Sequence, residues 1–231
     1  DITRRQTRAL LFRLASQSEP IPREQLCYLF WPDVPEMAAR RRFSRLLTHL
    51  RRALPSPDFV SVTYDTVGLD YGRVWSDVVV GQKLLPGKSK IDQLATWQQF
   101  ARLYRGQFLA GFSLPNSPEY EAWLIPEQQY WERLYLETLS RLVELYIQKG
   151  QFMTAVECAQ RYLAVDALAE EIHCRLMELY VLMGDRRAAL RQFENCQDVL
   201  KNELGVSPVS ETRAMYETVF RERPYAIPVS L

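Results

Sequence analysis

The chain has 231 residues, 47% hydrophobic and 25% charged, enough for two ordinary domains with apolar cores. No apolar run approaches the ~20 residues that a membrane-spanning helix needs, so no membrane partner is expected. The formal net charge of +1 hides a division: residues 1–57 carry eleven arginines, no lysine and five acids (11 − 5 = +6), whereas residues 58–231 carry 18 basic and 23 acidic side chains (18 − 23 = −5). A basic head on a mildly acidic body suits a nucleic-acid-binding domain joined to a protein-contacting one. The exclusive use of arginine adds to this, because guanidinium forks match phosphate oxygens and the guanine edge better than ammonium groups do. The four cysteines, Cys27, Cys158, Cys174 and Cys196, form no CxxC pair. Each lies in an apolar or amphipathic helical setting, so buried reduced thiols and a cytoplasmic protein are expected. Neither histidine, His49 or His173, stands at ligand spacing from a cysteine. No metal, no cofactor and no catalytic residue is expected. The sequence opens at Asp1 with no secretory signal, and we expect it to be the N-terminal part of a larger regulator.

Residues 3–16 (TRRQTRALLFRLAS) form the first predicted helix, with Leu10, Leu11 and Leu14 as its apolar stripe and Thr3 as its cap. Prolines break the chain at 20 and 22, and residues 22–30 (PREQLCYLF) form the second, with Leu26, Leu29 and Phe30 facing inward. Pro22 suits its start, because its missing amide proton costs nothing there. Pro35 and Glu36 open the third helix, residues 36–54 (EMAARRRFSRLLTHLRRAL), which has two faces. Phe43, Leu47, Leu50 and Leu54 recur at steps of three and four and make one stripe. Arg41, Arg45, His49 and Arg52 recur at the same steps on another side, with Arg42 and Thr48 beside them. An isolated basic run of this kind reads as a solvated face, so the neighbouring elements decide. From 59 to 71 the period becomes two: Val60, Val62 and Tyr64, a turn at Asp65 and Thr66, then Val67, Leu69 and Tyr71.

Three short helices followed by a hairpin is the order of a winged helix-turn-helix domain, the third helix reading DNA and the hairpin forming the wing. That order assigns Arg41, Arg42 and Arg45 to bases or phosphates in the major groove, with Thr48 and His49 further along. Arg51 and Arg52 are assigned to phosphates, and Arg23 to the DNA backbone. Thr63, Asp65 and Thr66 come near the backbone or minor groove at the wing tip. Arg40 is expected at the helix–core boundary, in a structural salt bridge.

Residues 74–85 fit either a strand, through Trp75 and Val78 to Val80, or a short helix capped by Asp77. PGKS at 86–89 reads as a surface turn; it lacks the first glycine of a phosphate-binding loop. Residues 91–104 are helical, with Ile91, Leu94, Trp97, Ala101 and Tyr104 on one face, and 109–118 form a loop. From 119 the chain is helical almost to its end, Pro126 marking a true start or a kink. Here the sequence repeats with a period of 34: Leu142 matches Leu176, Glu144 Glu178, Leu145 and Tyr146 Leu179 and Tyr180, Gly150 Gly184, and Ala155 Ala189. That is the tetratricopeptide (TPR) period, in which helix pairs stack because one pair alone cannot bury its apolar face. Tyr146, Tyr180, Trp123 and Trp131 read as core. A closing helix at 209–221 and a linker at 224–231 complete the chain.

Three stretches together resemble the bacterial transcriptional activator domain family, regulators of the antibiotic-regulatory (SARP) type. REQLCYLFWPDVPEMAARRRFSRLLTHLRRAL is similar to its winged-helix core, LYRGQFLAGF to its entry motif, and 135–217, ending in ELGVSPVSETRAMYE, to its helical-repeat signature. The resemblance implies a mainly α fold: an OmpR-type winged helix-turn-helix head with a β-hairpin wing, followed by a TPR-like domain of three helix pairs. It divides the chain into 1–73, the DNA-binding domain; 74–223, the transcriptional activator domain; and 224–231, the linker. It makes 77–85 a short helix. Family members usually carry a small β-sheet before the first helix, and this sequence starts at that helix. The implied function is a sequence-specific DNA-binding transcriptional activator and not an enzyme. The alternative is a protein-interaction scaffold or regulatory module whose winged helix does not bind DNA. The implied partners are double-stranded DNA and RNA polymerase, with a homodimer and a downstream nucleotide-binding regulatory module in the same polypeptide as further ones.

Overall fold

The computed structural model describes residues 2–84 and 93–221. The turn expected at 86–89, the linker at 224–231, Leu85 and Ile91 lie outside the described residues. The elements are α1 (Arg5–Ala15), β1 (Ile21–Pro22), α2 (Arg23–Phe30), α3 (Glu36–Ala53), β2 (Val60–Val62), β3 (Thr66–Leu69), α4 (Asp77–Leu84), α5 (Gln93–Leu103), α6 (Pro118–Gln148), α7 (Phe152–Leu163), α8 (Glu170–Leu182), α9 (Arg186–Leu204) and α10 (Ser210–Arg221). The fold is mainly helical, with one small sheet in its winged-helix part. Two compact units are present: Asp1–Ile91 with Arg102–Arg133, and Asp92–Ala101 with Leu134–Leu231. The units part inside α5, after Ala101, and inside α6, after Arg133.

In the first unit, Leu10 and Leu14 of α1, Leu26 and Phe30 of α2, and Ala39, Phe43, Leu46, Leu47 and Leu50 of α3 are buried together. Full burial of each such side chain contributes about 1.5–3 kcal/mol, so the apolar stripes hold the three helices. Leu11 and Leu54 lie at the rim of this core, half-buried. Thr3 is not the cap of α1: the helix begins two residues later, and Arg4 stands at the cap position without a side-chain bond to the helix amides.

The far end of α1 is closed from elsewhere. A helix leaves its last carbonyls without internal partners. Tyr71 Oη lies 2.9 Å from the carbonyls of both Leu14 and Gln17. Ser76 Oγ donates to the Ala15 carbonyl at 2.8 Å, and Gln82 Nε2 to that of Ser16 at 3.1 Å. Ser76 also caps α4, accepting from the Val79 amide at 3.4 Å. The ambiguous stretch is therefore a helix from Asp77 to Leu84, with Ser76 rather than Asp77 as its cap.

The sheet has the order β1–β3–β2, both pairs antiparallel. Val60 faces Leu69 and Val62 faces Val67, which continues to Thr63 opposite Thr66. Thr63 and Thr66 close the turn, the Thr63 amide donating to the Thr66 carbonyl at 3.0 Å and the Thr66 amide to Thr63 Oγ1 at 2.9 Å. The turn centre is thus Tyr64 and Asp65, one residue before the expected Asp65 and Thr66. β1 is a strand the sequence did not reveal, since two residues are too few to show a period. It pairs Ile21 with Val67 and Pro22 with Thr66, and the Arg23 amide continues the ladder to the Asp65 carbonyl at 2.8 Å. Pro22 thereby ends a strand and caps α2 at once. Gly68 lets the residue before β1 approach closely, since a Cβ there would stand 3.2 Å from Pro20 Cα.

α6 starts at Pro118 and runs through Pro126 without a break. Its first turns complete the core of the first unit: Tyr120 and Leu124 are buried with Leu114, and the Tyr120 hydroxyl donates to the Ala9 carbonyl at 3.3 Å. That packing outweighs the bond that Pro126 cannot donate.

The second unit carries the 34-residue repeat. Leu142 and Leu176 are buried at equivalent places, as are Ala155 and Ala189, both 0% exposed. Gly150 (φ 68°) and Gly184 (φ 78°) end the first helix of each copy in the left-handed region. Both ends have the same bonds: Gly150 to Ile147 and Gln151 to Tyr146 in one, Gly184 to Val181 and Asp185 to Tyr180 in the other, all 2.8–2.9 Å. This is the Schellman arrangement. The matched Glu144 and Glu178 share Arg175, at 2.9 and 2.6 Å. These three side chains are 40–43% exposed, so the pairing contributes less than ~1 kcal/mol, and it aligns helices that the leucines hold. Tyr146 is buried as expected, and Tyr180 is half-buried. In the first unit Trp131 is buried and Trp123 half-buried.

Candidate nucleic-acid interface

The core face of α3 fixes its opposite face, because successive side chains step by about 100° around the axis. Arg41, Arg45, Thr48 and Arg52 occupy the middle of that open face, and all four are exposed. Among the described residues none of these three arginines has an acid partner. Arg42 and His49 stand on the flank toward α1, and Ser44 and Arg51 on the other. The Thr48 hydroxyl donates to the Ser44 carbonyl at 2.9 Å. Its proton is committed to the helix, which leaves its lone pairs and methyl group outward. Met37, 69% exposed, stands on the same face in the first turn, and the hydrophobic period gave no sign of it.

Two of the expected contacts are otherwise engaged. Arg51 turns toward the wing, its Nη2 3.4 Å from the Val60 carbonyl and its Nε buried without a partner. It is therefore not part of the open array. Arg23 lies over the Phe43 ring, 5.5 Å from its centroid, and its amide is used by the sheet. Arg40 meets its expected role: it bridges Glu24 at 3.0 Å and Glu36 at 2.7 Å, and Glu36 above all holds its guanidinium protonated more firmly than usual. At the wing the Thr63 and Thr66 hydroxyls bond to each other at 2.8 Å, and Asp65 is exposed. The tip is Tyr64, 86% exposed, which the alternating pattern had placed within a strand.

The structure adds α1 to this surface. Arg4 at the start of α1 donates to His49 Nε2, joining residues 45 apart in sequence. Arg5 donates to the Ser113 carbonyl at 2.6 Å and to Ser113 Oγ at 3.0 Å. Arg13, 6% exposed, lies over Trp123 at 5.1 Å and donates to Gln17 Oε1 at 2.8 Å. Burial lowers its pKa, with Glu127 opposing. Such long-range partners have no signal in a single sequence.

Elsewhere the reactive residue types are structural. His173 is 1% exposed; its Nε2–H donates to the Ala167 carbonyl at 3.0 Å, and its Nδ1 accepts from Gln192 at 2.6 Å. Burial pushes the Cys196 thiol up to about 12 and raises Cys27, Cys158 and Cys174 as well. A nucleophilic thiol is shifted the other way. No helix among the described residues is long and apolar enough to cross a membrane.

Comparison with known proteins agrees with this layout. The family model described as bacterial transcriptional activator domain matches residues 69–220. The transcriptional regulatory protein MoaR1 of Mycobacterium tuberculosis (strain ATCC 25618 / H37Rv) is 22% identical over 240 residues, covering 96% of this chain and 74% of that protein. Among solved structures, Mycobacterium tuberculosis EmbR in complex with a low-affinity phosphopeptide is similar in fold, with a TM-score of 0.61 and 17% identity over 97% of this chain. The chain spans 61% of the length of that EmbR chain. The chain belongs to the bacterial transcriptional activator domain family.

Proposed function

We propose that α3 enters the major groove of double-stranded DNA and reads sequence there through Arg41 and Arg45. The observation that carries this is the open face of α3: exposed arginines without acid partners, held in register by a buried face of Phe43, Leu46, Leu47 and Leu50. Arg42, Thr48, His49 and Arg52 border the groove. Arg23, over Phe43, and Arg51, beside the wing, act by fixing α2 and β2 against α3. Tyr64, Thr63, Asp65 and Thr66 bring the wing tip to the backbone or minor groove, and Asp65 keeps that contact weak. The DNA-binding part is residues 1–73, its core completed by Leu114, Tyr120 and Leu124, and the activator part is 74–223. The second unit makes the contacts to RNA polymerase and to a second copy, in the cytoplasm, and a nucleotide-binding regulatory module continues the same polypeptide.

A mobility-shift titration at several salt concentrations, with duplexes from the neighbouring promoters, tests the reading. Binding falls steeply with salt, and Arg41→Ala with Arg45→Ala weakens it at least tenfold more than Arg221→Ala, a distant pair to Glu217 at 2.8 Å. No binding to any promoter duplex at low salt leaves the scaffold reading in its place.

A further inference from the structure

Between the first turn of α1 and the adjacent flank of α3 lies a cleft of about 510 Å³. Arg4, Arg5, Thr7, Arg42, Arg45 and His49 line it, and no acid does. The first turn of α1 has no acidic residue and no side-chain cap, so its leading amide protons meet no internal acceptor. Thr7 is 1% exposed, and its Oγ1 is buried with no hydrogen-bond partner. Buried hydroxyls are nearly always satisfied, so an unpaired one lining a basic cleft points to an absent acceptor. The only hydrogen-bond partner of the Arg4 side chain among the described residues is a His49 ring nitrogen, whereas a guanidinium pairs best with an anion. Arg5 is already fixed by Ser113 and lies 5.7 Å over Phe112.

We infer that this cleft is a phosphate-binding site beside the groove-reading face, with which it shares Arg45, and in which one phosphate group takes hydrogen bonds from Arg4, Thr7 and Arg42. The phosphate has two sources with the same chemistry. One is a backbone diester flanking the groove that α3 enters, and this source rests on the reading proposed above. The other is a free phosphoanion, which needs no DNA.

The test uses the full chain with Arg4→Ala and Thr7→Val, the second removing the hydroxyl at constant shape. Arg41→Ala serves as the reporter of groove reading, and circular dichroism checks folding. For the diester, Arg4→Ala weakens promoter and unrelated duplexes by the same factor, about three- to tenfold, and lowers the slope of log K against log salt by about 0.9. Thr7→Val weakens both duplexes in the same direction. A neutral methylphosphonate at one backbone position then weakens the wild type and has no further effect on Arg4→Ala. For the free anion, pyrophosphate raises the melting temperature of the wild type but not of either variant, while the salt slope is unchanged. The inference is overturned if both variants keep the wild-type salt slope and pyrophosphate has no effect on any of the three. If Arg41→Ala still impairs binding in that case, the cleft fails and groove reading stands. If no duplex binds at all, groove reading fails and the pyrophosphate arm alone decides the cleft.

Discussion

Single side chains in this protein divide by whether a partner is already in place. Arg40, Arg51, Arg23 and Arg13 are each engaged within the fold, whereas Arg41, Arg45 and Arg52 present open guanidinium groups on one face of α3. Helical spacing made Arg41 and Arg45 legible in the sequence, because the burial of Phe43 and Leu47 fixes where they point. Arg51 was not legible, since its acceptor is a strand carbonyl nine residues away whose position depends on the tertiary fold. Thiols and phenols follow the same logic. Cys196 and Tyr71 are pushed up to about 12 by burial, and Tyr120 is raised as well. A raised folded value for such a group means that the unfolded chain ionises first. The stabilisation is whole below the ordinary values of about 8.5 for a thiol and 10 for a phenol, and is lost as pH climbs to about 12. Urea midpoints are therefore expected to hold steady from pH 7 to 8 and to fall above pH 9. Native-state thiol labelling is expected to be slowest at Cys196 and to reach all four cysteines only in denaturant. Rapid labelling of Cys196 in the folded protein would contradict its burial.

At the scale of elements, the repeat rests on two left-handed glycines. Nothing lies within 4 Å of a Cβ built at Gly184, so Gly184→Ala carries backbone strain alone, about 1–2 kcal/mol. A urea-melt loss of that size is expected, and no loss would mean that the Schellman end is dispensable. Both glycines, their 34-residue spacing and the matched leucines were legible in the sequence, because each copy uses the same residues for the same bonds. β1 and the length of α6 were not. A two-residue strand exists only through its partner β3, and Pro126 signals a break that the packing of Tyr120 and Leu124 overrides. The turn of the wing shifted by one residue because the Thr63–Thr66 pair closes it, a preference weaker in sequence than an Asn-Gly turn.

Across the whole molecule, the winged helix is not closed by its first 73 residues. Leu114, Tyr120 and Leu124 are buried in its core, and Phe112 packs edge-on against Phe12 at 4.9 Å. A fragment of residues 1–73 is expected to stay unfolded by circular dichroism and amide exchange, while residues 1–133 give a cooperative melt. A folded 1–73 fragment would show that these late contacts are accessory. Such dependence ties the reading head to residues well beyond the wing, so groove reading is best judged in the full chain. The most direct measurement is selection of bound duplexes from a random pool by wild type and by Arg41→Ala with Arg45→Ala. A bidentate arginine–guanine pair contributes about 1–3 kcal/mol of discrimination. A defined wild-type motif is expected, in which one or two guanine positions relax in the variant while the others persist. Recovery of no motif by the wild type, or of the same motif by the variant, would contradict it.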